Sequence, residues 1–210
     1  MLRFLLVLVS VLMPFLAAAD DAELYAKAPP PNSAFIRVLN AAPELKESTV
    51  SVAGKSFSKA AYPSITSYQI VPAGNYVVTL AGKKTTIKPV AGKFYSVAVQ
   101  GGSAPILFIA DAAPTNPAKS KIYFYNLSDA SVGKLFAPDH KTAIVDNVKP
   151  GTKAEKDINA LKVTIDAMAG TEKVQSFPQV QLKRRVGSSF LLAGSKGQYK
   201  AVMVENSVAR

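Results

Sequence analysis

Few side chains in this sequence are of the types that do chemistry, and their spacing does not bring them together. There is one histidine, His140, in the run Pro138-Asp139-His140-Lys141, and no cysteine. A catalytic nucleophile needs a base held beside it, and that base needs an orienting partner. Asp139 directly before His140 is badly placed to hold the second ring nitrogen, so His140 reads as a solvated loop residue. No His-Glu-x-x-His, paired-cysteine zinc, acidic calcium-loop or glycine-rich phosphate pattern occurs. The carboxylate pairs Glu44 with Glu47 and Glu155 with Asp157 are of the kind a glycosidase uses, but exposed loops produce such pairs freely. We therefore expect no catalytic residue, no metal and no cofactor.

The more informative cluster is Lys183-Arg184-Arg185, which follows the apolar-alternating run Val180 to Leu182. Arginine suits two-point contact with carboxylates, so the triplet is the candidate contact for an acidic partner or polymer. Protection of an edge strand by positive charge is the alternative. Aromatic side chains on a sheet face are the usual means of stacking a sugar or base. The chain offers Tyr123, Phe124 and Tyr125 in one strand, with Tyr62, Tyr68 and Tyr199 elsewhere, and no tryptophan. Tyr123 and Tyr125 share one face and Phe124 takes the other, so at least one side of that strand must be core.

The elements that must position these residues are strands. Val71 to Gln100 holds three alternating runs, Asn75–Leu80, Thr85–Lys88 and Phe94–Val99, cut by Gly and Pro turns, and reads as an antiparallel meander. Tyr76, Val78 and Leu80, with Val77 on the opposite face, suggest a central strand apolar on both sides. The same cadence returns in Asn159–Gly170, Val174–Leu182 and Val186–Gly197. The flanks repeat as well: AFIRVLNAAP from Ala34 matches KIYFYNLSDA from Lys121, and PILFIAD from Pro105 matches YKAVMVEN from Tyr199. Offsets run from 86 for Asn40 and Asn126 to 95 when Gly92 is matched to Gly187, so the second copy carries an insertion. A period this long means tandem domains, not solenoid units.

Seven short strands in the first copy, near Phe35–Asn40, Thr49–Ala53, Ser67–Val71, Tyr76–Leu80, Thr85–Lys88, Phe94–Gln100 and Ile106–Ala110, with turns between them, and the repeat of their pattern predict an all-β protein of two β-sandwiches, carbohydrate-binding-module-like or Ig-like. In the second copy Leu161, Val163, Ile165 and Ala167 alternate with Lys162, Thr164 and Asp166, which predicts one inner and one wet face. The insertion, about 129–157, predicts two short strands at Leu135-Phe136 and Ile144-Val145 and a turn at Pro150-Gly151.

Arg3, the apolar Phe4–Leu16 and Ala17-Ala18-Ala19 compose a secretory signal peptide over 1–19. The apolar run is shorter than the ~20 residues a spanning helix needs, so no membrane anchor is expected after cleavage. Residues 20–33 form a Pro-rich extended arm, 34–113 the first sandwich, 114–119 a linker stiffened by Pro114 and Pro117, and 120–210 the second sandwich. The lack of cysteine is compatible with a bacterial periplasm. Residues 20–113 carry nine basic against six acidic side chains, a net of +3, and residues 114–210 fifteen against eight, a net of +7. The second copy is thus the better match for an acidic partner or polyanion. Nucleic acid fits the charge but not the compartment, and no nucleic-acid-binding motif is visible.

With the signal peptide, the duplicated strand pattern, SAFIRVLNA from Ser33, PAGNYVV from Pro72, Asn126-Leu127-Ser128 and no catalytic set, the chain resembles the AlgF family of alginate biosynthesis proteins. The likeness covers nearly the whole chain after the signal peptide and rests on strand and turn patterns. It implies a periplasmic accessory protein required for O-acetylation of alginate. Its partners would be the SGNH-type acetyltransferases and the membrane-bound protein that delivers acetyl groups. Direct binding of the polyanionic alginate chain is the alternative. The Asp-x-x-His signature expected of the transferring enzymes is missing here.

Overall fold

A computed structural model describes residues 28–45, 50–52, 54–57, 61–80, 82–139 and 141–209. The signal peptide, most of the arm, Glu47 and His140 lie outside the described residues. All regular structure in the described residues is β. In the first half the strands are β1 (Ser33–Ala41), β2 (Val50–Val52), β3 (Lys55–Phe57), β4 (Ser64–Ile65), β5 (Gln69–Pro72), β6 (Tyr76–Leu80), β7 (Lys83–Ile87), β8 (Phe94–Gln100) and β9 (Leu107–Asp111). In the second they are β10 (Lys119–Ser128), β11 (Gly133–Phe136), β12 (Ala143–Val148), β13 (Thr152–Asn159), β14 (Lys162–Ala169), β15 (Glu172–Gln181), β16 (Gly187–Gly194) and β17 (Lys200–Glu205).

The strands stack in layers. In each half the opening strand pairs in parallel with the strand that follows the hairpins: β1 with β8, and β10 with β16. The inner sheets run β4-β1-β8-β9, with β5 also on β1, and β13-β10-β16-β17. The outer cover of the second half is one sheet, β12-β11-β14-β15, whereas that of the first half is two hairpins, β2-β3 and β6-β7.

Alternation along the inner strands serves two cores at once. From β1, Ala34, Ile36 and Val38 point to the core beneath the first half's cover, while Leu39 and Ala41 point the other way. From β10, Ile122 and Phe124 face the second half's core, while Tyr123, Tyr125 and Leu127 turn towards the first half. The two inner sheets meet through these second faces, with Ala98 of β8, Leu191 and Ala193 of β16, and half-buried Leu107, Ile109, Val202 and Val204. A strand buried on both faces reads as a continuous apolar run, which explains KIYFYNL and SSFLLA. The Tyr123–Tyr125 face is therefore a shared core and not a stacking platform.

The registers confirm the duplication and correct its alignment. Asn40 and Asn126 are both buried and both cap the loop that follows: Oδ1 accepts from the backbone amides of Ala42 and Ser128, and Nδ2 donates to Leu45 O and Ala130 O. Phe35 pairs with Phe94 and Lys121 with Gly187, so Gly187 corresponds to Phe94, not to Gly92.

Three further expectations give way. The run 71–100 is not one meander, because β8 leaves the β6-β7 hairpin to pair with β1 in the other layer. Among the described residues β6 pairs only with β7, and Val77 is 68% exposed, so β6 is not a central strand. In β14 the wet face holds only at its start, where Lys162 is exposed, while Asp166 is 3% exposed and lies 3.9 Å from Lys173; on the face expected inside, Leu161 just before the strand is 43% exposed.

Candidate functional site

At the centre of the contact between the halves sits a fully buried arginine. Arg37 lies on the second face of β1, where burial without partners would be prohibitive. Its Nε donates to Ser96 Oγ at 2.8 Å, Nη1 to Asn206 Oδ1 at 2.8 Å and Nη2 to Tyr125 Oη at 2.7 Å. The guanidinium lies 4.4 Å from the centroid of the Tyr68 ring, within cation–π range. Asp111, at the end of β9, supplies the counter-charge at 3.6 Å. Its Oδ2 accepts from Tyr68 Oη and Ser96 Oγ at 2.9 and 2.6 Å, and its Oδ1 from Tyr125 Oη at 2.6 Å and Lys153 Nζ at 3.3 Å.

Proton directions are consistent throughout, since Tyr125 and Ser96 each accept from Arg37 and donate to Asp111. Burial pushes the Tyr125 and Tyr68 phenols well above their ordinary range, so both remain donors. Burial alone would lower the Arg37 pKa, but Tyr125, Tyr68 and Asp111 outweigh it and raise it. Ser96 of β8 and Ser189 of β16 are equivalent, as are Asp111 and Asn206, and Ser189 Oγ donates to Asn206 Oδ1 at 2.7 Å. The network thus lies about the approximate two-fold relation between the repeats. The tail after β17 adds backbone bonds: Tyr68 N donates to Ser207 O and Ala209 N to Tyr68 O.

Two hollows open beside the segment that leads from β9 into the linker, one lined by Ala112, Ala113 and Thr115 and the other by Pro114. One, of about 660 Å³, is bounded by Val90, Lys93, Tyr95, Asp111, Lys153 and Glu155. The other, of about 190 Å³, is bounded mainly by Tyr68, Phe94, Pro114, Tyr123, Arg185 and Val208. Tyr123 Oη donates to Ala112 O, which fixes one wall. Gly187 permits the close approach of another: a Cβ there would stand 2.6 Å from Tyr123 and from Asn206.

The basic triplet is divided by the structure. It occupies the turn between β15 and β16, beyond the edge strand itself. Lys183 is tied to Glu205 at 2.9 Å. Arg184 is exposed, and Arg185 borders the smaller hollow. Of the carboxylate pairs, Glu44 Oε1 accepts from Gly102 N, Asp157 pairs with Lys121 at 2.7 Å, and Glu155 holds Lys153 and Ala112 N. These carboxylates are engaged in holding loops and strands. No cluster of three or more metal-binding side chains occurs among the described residues. Sequence reasoning passed over Arg37, Asp111 and Lys153. The signal for the first two was a charge inside the apolar run FIRVL and another at the end of LFIAD; Lys153, in TKAEKD, had none.

A family model described as "Alginate O-acetyl transferase AlgF" matches residues 7–188. The chain belongs to the AlgF family. Among proteins named alginate biosynthesis protein AlgF, the one from Pseudomonas syringae pv. tomato is 29% identical over 198 residues, 94% of this chain and 87% of that protein. That from Pseudomonas aeruginosa is 29% identical over 194 residues, 92% and 88% of the two chains. That from Azotobacter vinelandii is 27% identical over 191 residues, 91% and 86%. A solved structure of the C-terminal domain of AlgF from P. aeruginosa is 30% identical and covers 42% of this chain and 99% of its own, with a TM-score of 0.39. No helix among the described residues is long and apolar enough to cross a membrane.

Proposed function

We propose that the protein acts in alginate biosynthesis as a non-catalytic periplasmic accessory protein that supports O-acetylation by docking the SGNH-type acetyltransferases. Family membership supports the pathway. The observation that supports a docking role is the Arg37–Asp111 network, which holds two sandwiches in one fixed relation and keeps a seam of defined shape open above it. The same network uses up the polar groups from which a reaction centre would be built. Each oxygen of Asp111 already receives two hydrogen bonds, which leaves it ill suited to act as a base.

A second reading, direct binding of the alginate chain, draws support from the larger hollow, whose lining includes the exposed Lys93 and the half-buried Lys153. The test uses purified full-length protein with an acetyl donor, oligomannuronate and a purified acetyltransferase. The docking reading expects saturable binding to the acetyltransferase and no acetyl transfer by the protein alone. Acetylated oligomannuronate formed without the transferase would overturn it, and micromolar oligomannuronate binding without transferase binding would move the role to the polymer.

A further inference from the structure

We infer that the smaller hollow at the seam is the anchoring point for the protein partner: one apolar side chain of that partner enters it, and a neighbouring carboxylate pairs with Arg185. The inference rests on the docking reading above and adds the place and the chemistry.

The equivalence between the repeats singles out Arg185. Gly92 N donates to Ser33 O just as Arg185 N donates to Lys119 O, and Ser33 and Lys119 open the equivalent strands β1 and β10. The two residues therefore occupy one turn position. Both have the left-handed backbone, with φ of 73° at Gly92 and 61° at Arg185. Glycine meets that requirement without strain, whereas an L-residue there costs energy. An arginine standing where the equivalent turn has glycine points to a use for its side chain, since strained positions concentrate at functional sites. The Arg185 side chain has no hydrogen-bond or ion-pair partner among the described residues, although Lys183 two positions earlier does.

The hollow next to Arg185 decides the occupant. At about 190 Å³ it is smaller than the ~300 Å³ at which small-molecule sites begin, and it has room for a single large side chain. Its lining is mostly apolar, from Tyr68, Phe94, Tyr123, Pro114 and Val208. A uronate ring would need polar partners around most of its hydroxyls, and among the lining side chains Asn206 Oδ1 is already taken by Arg37 and Ser189. The walls are also held in place beforehand: Tyr68 is bonded to Asp111 and Tyr123 to Ala112 O. Preformed walls lower the ordering cost of association. Arginine and side chains seated in well-packed pockets are enriched among the contacts that carry most of the binding energy in protein interfaces. The positive charge of Arg184 and Arg185 calls for an acidic surrounding on the partner.

Arg185→Gly, Arg185→Glu and Val208→Trp, the last intended to fill the hollow, would be compared with the wild type in titration calorimetry against the purified acetyltransferase. Lys84→Glu, an exposed charge reversal on the β6-β7 hairpin, serves as control. Arg185→Gly suits the turn, so the fold should survive it, and thermal melting checks all four. The expected result is a loss of about tenfold in affinity for Arg185→Gly, the scale of one charge-assisted contact, and more for Arg185→Glu and Val208→Trp, with the control unchanged. If the wild type binds and the folded variants bind within twofold of it, the anchoring site is wrong while the docking role stands. If the wild type itself fails to bind the acetyltransferase, the docking role falls and this site with it.

Discussion

The two halves repeat one pattern yet cover their cores differently. In the C-terminal half β11 pairs with both β12 and β14, so a continuous four-stranded sheet closes its core. In the N-terminal half the corresponding cover consists of the separate hairpins β2-β3 and β6-β7, with no ladder joining them among the described residues. An isolated two-stranded hairpin is marginal in water, so this cover depends on the sheet beneath it. That sheet depends in turn on the opposite half for its second face. Both inner sheets need the seam for their second faces, so the asymmetry lies in the outer covers, one continuous and one divided.

The largest test of this asymmetry is to separate the halves between Ala113 and Lys119, where we place the domain boundary. Fragment 118–210 should show a cooperative thermal transition and self-associate through Tyr125, Leu127 and Leu191, which lose their cover. Fragment 20–113 should show a broad transition or none, and mixing the two should restore it. A sharp independent transition from 20–113 would mean that its cover is sufficient. Next in size is Arg37→Met in the intact chain, which leaves Asp111 buried and its donors in disarray. Removing one partner of a buried ion pair costs about 3–5 kcal/mol, to be read by denaturant unfolding. Arg37→Met combined with Asp111→Asn should recover part of that loss.

Alkaline pH should loosen the same seam. Tyr68, Tyr123 and Tyr125 all have phenols raised by burial, so above pH ~10 the unfolded chain releases protons that the folded chain keeps. This part of the stability is complete below pH ~10 and falls as pH rises, by about 1.4 kcal/mol per pH unit for each phenol. Tyr68→Phe should make the decline shallower. The smallest effect is the exchange at the equivalent turn: Arg185→Gly should leave stability equal or raise it by up to about 1 kcal/mol, and Gly92→Arg should lower it by about as much. Nothing lies within 4 Å of a Cβ at Gly92, so backbone strain would be the whole cause.

The sequence by itself determined where strands lie and that the pattern occurs twice. Period-two alternation and Gly or Pro turns are local signals, which is why Phe35–Asn40, Tyr76–Leu80 and Phe94–Gln100 fall on β1, β6 and β8 almost residue for residue. It also marked the triplet, though not the division of labour within it. Only the tertiary structure decided which strands pair. A parallel partner such as β8 for β1 lies dozens of residues away, and no local pattern encodes the choice. It likewise decided that the Tyr123–Tyr125 face is interior, since an apolar face looks the same in sequence whether it meets solvent, ligand or another sheet. Arg37 and Asp111 become partners only because the two inner faces close over them, and that closure is where dehydration makes both charges depend on each other.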